Sequence, residues 1–415
     1  MQDRYRQLGA LEKFATVPSD DPHAWTPKLR LATADWFSRW FYNRKGPSSE
    51  PVFATEPPES LYCTPDGSIR YSGKGQTVYS LIAQKQAKLP PARRAPKTSV
   101  EREKYQNEIG EEIRKHLHYQ KSEQPLEVRH IVTTPREGYR IDKIQFLSEP
   151  GIYIPAWIYV PDDKPRVLPT ILYVSDQGIE PDGMEFEGEE GSGLTHSVLD
   201  TLAREGNLVV AVEVRGIGAT RPTHPASDSC SEFGQLFDLE TGMAYMAWFI
   251  DQSLLGMRVQ DVVRSVDYVM GRPGADAKNM HVIGKGMGGL WCLYAAALDP
   301  RIRSLISVQS LLSYRSLTLV DRYKYGADVF VPDVLLHFDI PQVATAIAGR
   351  PLTLIYPMDA MKNTVPVAAA EQAYDSARAA YEAAGLQHLF RIESEKPGLD
   401  SPQHYLSLIQ SAMAV

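Results

Sequence analysis

The segment Gly284-Lys-Gly-Met-Gly-Gly289 stands where an apolar run, Met280–Ile283, passes straight into a stretch with helical apolar spacing, Met287–Leu298. Small residues at such a junction permit a sharp strand-to-helix turn, and the first N–H groups of the helix then face developing negative charge. A serine, cysteine or aspartate at the centre of a G-x-S-x-G turn is presented there as a nucleophile. Here the centre is Gly286, which has no side chain with which to attack a carbonyl. Two further readings of the glycines stay open. A dinucleotide fingerprint needs G-x-G-x-x-G after the first strand with an acid some twenty residues on, whereas this turn follows several strands. Tight packing of a helix on a strand, with no chemistry at all, accounts for the glycines equally well.

The other groups a hydrolytic site needs have candidates in the right chain order. Asp359 follows the apolar run Leu352–Tyr356, and His404 opens the last helical stretch after the run Leu389–Ile392. Nucleophile, acid and base follow one another in this order in the α/β-hydrolases. A neutral histidine held by a carboxylate is a general base whose tautomer the carboxylate fixes. Ser175-Asp-Gln-Gly178 follows the run Thr170–Val174, where this fold donates a second oxyanion-hole N–H, so Asp176, Gln177 and the amide of Met287 are the candidate pocket residues. Lys285 is a poor nucleophile candidate, because such a turn points its central residue, not the neighbour, into the site. Arg215-Gly-Ile-Gly218, leading to Arg221-Pro222, reads as a turn packed under the site.

From Val128 onward strand-like and helix-like periodicities alternate, the pattern of a βα-built, mostly parallel sheet. Eight strands are expected, at Arg140–Leu147, Ile152–Val160, Thr170–Val174, Leu208–Val214, Met280–Gly284, Ser304–Val308, Leu352–Tyr356 and Leu389–Ile392. Amphipathic helices are expected at Ser197–Arg204, Met257–Met270, Met287–Leu298, Val367–Ala384 and Pro402–Ala412. Ser148-Glu-Pro-Gly151 favours a hairpin between the first two strands. The fold class is thus α/β, an α/β-hydrolase fold over residues 125–415 with helices flanking about eight strands and a helical or irregular N-terminal extension. Within that extension Thr26-Pro27 opens a short aromatic helix, Gly46–Asp66 reads as a linker or surface arm, and Val78–His118 reads as two charged helices on the main domain.

Composition narrows the partners. The 415 residues carry a net charge of −7, and no concentrated basic face offers itself to nucleic acid. The longest apolar stretches, such as Asn207–Val214, are strand-sized, far short of the ~20 residues that span a bilayer. Met1–Phe14 has no apolar core of a secretory signal, so cytoplasmic location is the default and export is expected only if the chain belongs to a longer secreted protein. Cys63, Cys230 and Cys292 form neither a metal spacing nor a disulfide framework, and no metal or cofactor is expected.

From about Gly138 to the C-terminus the chain resembles the acetyl xylan esterase-related α/β-hydrolases, a carbohydrate esterase family. The resemblance rests on Ile152-Tyr-Ile-Pro-Ala-Trp157, Val214-Arg-Gly-Ile-Gly218, the glycine turn, and Phe338-Asp-Ile-Pro341 leading to Arg350-Pro351 and Asp359. It implies a carbohydrate ester as ancestral substrate, Asp359 as acid, His404 as base and a nucleophile position that falls on Gly286. Asp21-Pro-His23-Ala-Trp-Thr-Pro27 resembles the catalytic-histidine loop of a second such domain, so residues 1–45 are expected to be the tail of an upstream hydrolase domain, joined by a linker and helical arm over 46–124. Loss of the serine costs a hydrolase of this type ~10⁶ in turnover. The expected function is therefore weak or degenerate ester hydrolysis, with a small molecule or oligosaccharide as ligand. The alternative is a non-catalytic carbohydrate-binding or scaffolding domain whose partner is an upstream hydrolase domain or a second copy.

Overall fold

The computed structural model describes the chain apart from Pro22, Phe53, residues 70–74, 91–92, 163–166, 184–196, 223–238, 395–401 and Val415, and apart from the side chains of 402–405. It comprises two compact units, Met1–Gln76 and Thr77–Val415. In the first, the helix Pro27–Tyr42 begins with proline at its first position, where a missing N–H costs nothing, and stops at Asn43 in the left-handed conformation (φ 47°). With 16 residues it is longer than the short helix expected, and the Thr26 side chain makes no capping hydrogen bond.

The second unit is built on one nine-stranded sheet: β1 (Arg129–Arg136), β2 (Tyr139–Glu149), β3 (Ile152–Pro161), β4 (Leu168–Ser175), β5 (Leu208–Val212), β6 (Ala275–Lys285), β7 (Ser304–Val308), β8 (Leu352–Ile355) and β9 (Phe390–Glu393). Their order is β1-β2-β3-β5-β4-β6-β7-β8-β9. The sheet is antiparallel from β1 to β5 and parallel from β5 through β4 to β9. One strand more is present than the eight expected. The additional strand, β1, lies at an edge and is exposed along nearly its whole length, so it has no buried face to impose an apolar alternation. The Ser148–Gly151 hairpin joins β2 to β3 in antiparallel register.

The central strands read as continuous apolar runs because both of their faces are covered. Leu208, Val210 and Val212 of β5 belong to one buried cluster, and Val209 and Ala211 to the other. Helices Leu254–Gly271 and Met287–Leu298 pack into the larger cluster, together with the helix Ser99–His116, whose Tyr105, Ile109 and Ile113 are buried there. Of the two charged helices ahead of the sheet, Ser99–His116 thus shares its core, whereas Val78–Gln86 buries only Gln86. The stretch expected as one helix over Val367–Ala384 is two, Val367–Ala373 and Asp375–Ala383. Among the described residues no helix is long and apolar enough to cross a membrane.

Because β5 lies on one side of β4 and β6 on the other, the chain reverses its direction of winding at β4. Crevices at the carboxyl ends of strands flanking such a reversal are where open α/β sheets bind ligands. Ser175 and Lys285, the last residues of β4 and β6, are in register there.

Candidate active site

The glycine turn is held by contact on every side. A Cβ on Gly284 would lie 2.5 Å from the Gly288 carbonyl oxygen and the Gly289 Cα; one on Gly288 would enter the Val174 carbonyl, and one on Gly289 the hydroxyls of Ser307 and Ser310. The turn therefore admits no side chain at these positions, whatever happens at its centre. Gly286 has φ 60° and ψ −131°, immediately before the helix Met287–Leu298. Its N–H donates to the Val308 carbonyl at 2.8 Å, and its carbonyl accepts from Ser310 Oγ at 2.7 Å. The backbone thus has the sharp geometry that presents a nucleophile, with no side chain to present.

The space is not left open. A Cβ built on Gly286 would fall within the van der Waals envelope of both carboxylate oxygens of Asp176. Asp176 follows β4, and its Oδ2 accepts a hydrogen bond from the Met287 amide at 3.0 Å. Met287 N–H opens the helix that follows the turn, so one carboxylate fills both the space beside Gly286 Cα and the first amide of that helix. Burial pushes the Asp176 carboxyl above the usual range, opposed by the Met287 amide and by the charges of Lys362 and Lys285.

The remaining candidates are placed as follows. Gln177 is exposed, and its N–H donates back to Ser175 Oγ at 3.2 Å, so it is spent within its own turn. Asp359 closes a turn: Oδ1 accepts from the amides of Met361 (2.8 Å) and Asn363 (2.9 Å), and Oδ2 accepts from Asn363 Nδ2 at 3.1 Å. Its loop is tied to the glycine turn by a ladder across the strand ends, Gln309 N to Ile355 O and Met358 N to Ser310 O, each 2.8 Å. The backbone of His404 lies in the first turn of the helix Pro402–Met413, and its side chain lies outside the described residues. Lys285 turns away from Gly286 to Asp182, with Nζ 2.6 Å from Oδ1, and Tyr173 donates to the same carboxylate.

Three residues not singled out from sequence shape this site. Tyr325 is buried, and burial followed by the charges of Asp176 and Asp359 raises its phenol pKa. Lys362 lies with Nζ 5.2 Å from the Tyr325 ring centroid. Glu213 accepts from the amides of Ile179 (3.1 Å) and Ala219 (2.8 Å), fastening the loop that carries Asp176 to the Gly216–Thr220 turn. No motif marks Tyr325 or Glu213; only the charge of Glu213 at the end of an otherwise apolar strand hinted at a fixed role. Arg215 acts below the site: its guanidinium spans Glu149 and the fully buried Asp261, with Nε 2.8 Å from Asp261 Oδ2.

This arrangement of strands is shared with known proteins. The chain is 25% identical over 248 residues to YtaP of Bacillus subtilis (strain 168), which carries the name of a hydrolase; the match covers 59% of this chain and 77% of YtaP. Its fold superposes on that of BF1801 of Bacteroides fragilis NCTC 9343, which bears an acetyl xylan esterase's name, with TM-score 0.62 and 18% identity over 80% of this chain and 86% of the other. A glucuronoyl esterase from Solibacter usitatus is similar at TM-score 0.51 and 13% identity, covering 79% of this chain and 99% of that one. The sequence pattern of the Abhydrolase family matches residues 70–360, more than half of the chain, and the chain belongs to that family.

Proposed function

We propose that this α/β-hydrolase is esterase-like in scaffold but cleaves carbohydrate esters weakly or not at all, retaining an oligosaccharide or small-molecule ligand as its substrate-derived partner. The observation that carries the reading is the Asp176 carboxylate on the Met287 amide, over a glycine. An ester carbonyl entering the site would have to displace an anion from the donor it needs, and would meet no hydroxyl when it arrived. The remaining triad positions, Asp359 and His404, are assigned on chain order and fold. Loss of the serine amounts to ~8 kcal/mol of barrier, which leaves turnover on the order of 10⁻⁵ s⁻¹. The alternative of a non-catalytic carbohydrate-binding or scaffolding domain, serving an upstream hydrolase domain, rests on the same observation.

The test is hydrolysis of an aryl acetate and of acetylated xylan by the purified chain, with His404→Ala beside it and calorimetric titration of acetylated xylo-oligosaccharides. Background turnover in both proteins, with saturable oligosaccharide binding, is the expected result. Turnover above ~10⁻² s⁻¹ that vanishes in His404→Ala would overturn the reading.

The same carboxylate favours a second reading, in which Asp176 is itself the nucleophile. One oxygen attacks a saturated carbon, an ester to Asp176 forms, and the leaving group departs as its anion. Water then cleaves that ester at the acyl carbon, regenerating the carboxylate and releasing an alcohol and one proton. The ester carbonyl oxygen would rest on the Met287 amide throughout. Single-turnover reaction of an alkyl halide or epoxide in ¹⁸O-water, followed by mass analysis of the Asp176 peptide, tests it; absence of label in that peptide rejects it.

A further inference from the structure

Glu112 and His116 are four residues apart on the helix Ser99–His116 and so share one face of it. The short helix Val334–His337 ends against that face with His337. Glu112 Oε2 lies 3.4 Å from His116 Nε2 and 3.2 Å from His337 Nδ1, and the two imidazole centroids are 4.0 Å apart. One donor atom from each of the three residues falls within 4.8 Å of the others.

These spacings carry chemical information. Donors bound tetrahedrally at about 2.0–2.1 Å from one ion are about 3.4 Å apart. Two of the three separations already match that edge. Glu112 Oε2 and His116 Nε2 are also buried atoms that approach one another and His337 but form no hydrogen bond of good geometry among the described residues. Buried polar atoms in native proteins are nearly always satisfied, and an ion is one of the standard ways of satisfying them. Arg93 approaches the other oxygen of Glu112, with Nη2 3.7 Å from Oε1, which leaves Oε2 aimed at the two imidazoles. Phe338 packs edge-on against the His116 ring at 6.3 Å, fixing its plane.

We infer that Glu112, His116 and His337 form a binding site for a divalent transition-metal ion, zinc foremost, with water as fourth ligand. Two imidazole nitrogens and one carboxylate oxygen are the borderline donor set that Zn²⁺ takes, whereas Ca²⁺ and Mg²⁺ favour all-oxygen shells. None of the three residues belongs to the group around Gly286. The ion ties the Ser99–His116 helix to the segment that leads into Phe338-Asp-Ile-Pro341. Its role is to lock those two elements together, independent of any reaction at the glycine turn.

The experiment uses the untagged full chain, stripped with a chelator. Zn²⁺ is titrated in competition with a chromophoric chelator, the Tm is followed with and without Zn²⁺, and Co²⁺ is added as a spectroscopic substitute. One tight equivalent of Zn²⁺, a rise in Tm, and the intense visible absorption of four-coordinate Co²⁺ are expected. His337→Ala, at the more exposed ligand, should keep the fold and weaken binding by more than the ~10–100-fold that loss of an outer-shell partner costs; Glu112→Gln should do the same. Failure to bind one equivalent, or binding equally tight in His337→Ala and Glu112→Gln, would overturn the assignment.

Discussion

The Met287 amide donates to Asp176 Oδ2 at 3.0 Å, bridging the carboxyl ends of β6 and β4 at the point where the sheet reverses its winding. A helix N-terminus attracts anions, and here the protein supplies its own. The bond couples the glycine turn to the loop after β4, and it determines what a side chain introduced at position 286 would meet.

Gly286→Ser alone is therefore expected to give no esterase. Its side chain would enter the Asp176 carboxylate, and its backbone at φ 60° is disfavoured for any residue with a Cβ, a strain of ~1–3 kcal/mol. Asp176→Gly in the same chain removes the obstacle and frees the Met287 amide. Urea melts should show the single variant destabilised and the pair partly recovered. A pre-steady-state burst of nitrophenol from an aryl acetate should come from the pair alone; a burst from the single variant would show that Asp176 moves aside.

Asp176→Asn should change how stability depends on pH. The carboxyl is raised by burial first, so folding favours its protonated form: its contribution is most favourable below the ordinary carboxylate range and is lost as pH rises through the folded value. An asparagine oxygen can keep the Met287 bond without the charge. The variant should thus melt above the parent at neutral pH, with the gap closing toward acid. Thermal melts in a buffer series from neutrality down to the carboxylate range check this, and a gap independent of pH would contradict it.

Much of the scaffold was legible in the sequence because burial writes itself into periodicity. The continuous apolar run Leu208–Val212 could only be a strand covered on both faces, and Met280–Leu298 announced a strand-turn-helix by its glycines alone. β1 was not legible, since its edge position leaves Arg129–Arg136 exposed and held through backbone pairing. At the site, the place of Asp176 just after β4 was legible, but its carboxylate's position over Gly286 was not. That depends on the registration of β4 against β6 and on Glu213 holding the loop, both long-range facts. Tyr325 reaches the site from a segment with no regular element, where periodicity is silent.

Glu213→Ala should loosen that loop. It strands the amides of Ile179 and Ala219, and hydrogen bonds to a charged group are worth about 1.5–3 kcal/mol each. A loss of ~2–4 kcal/mol in denaturant melts is expected, with faster amide exchange at Ile179; an unchanged midpoint would remove Glu213 from its positioning role.

Asp261→Ala should cost ~3–5 kcal/mol, because it leaves the Arg215 guanidinium largely buried without the partner that accepts from its Nε and Nη2 as well as from the Arg215 backbone N–H. Asp261→Leu combined with Arg215→Met should recover much of that loss, since apolar residues of similar volume need no partner. Equal losses in the single and double variants, measured by urea unfolding, would show that the cost is one of packing rather than of an orphaned charge.

The glycines that flank position 286 are fixed by the Val174 carbonyl, the Ser307 and Ser310 hydroxyls and one another, so substitutions at them are opposed by folding itself, apart from any chemistry at the turn. The turn can drift only at its centre. Yet Asp176 makes the order of change matter: a serine acquired first meets the carboxylate as well as the backbone strain, whereas the same serine acquired after a change at 176 bears the strain alone. The path from this turn to one that bears a serine is thus short in number of steps and depends on their order, because positions 176 and 286 are coupled through a single amide.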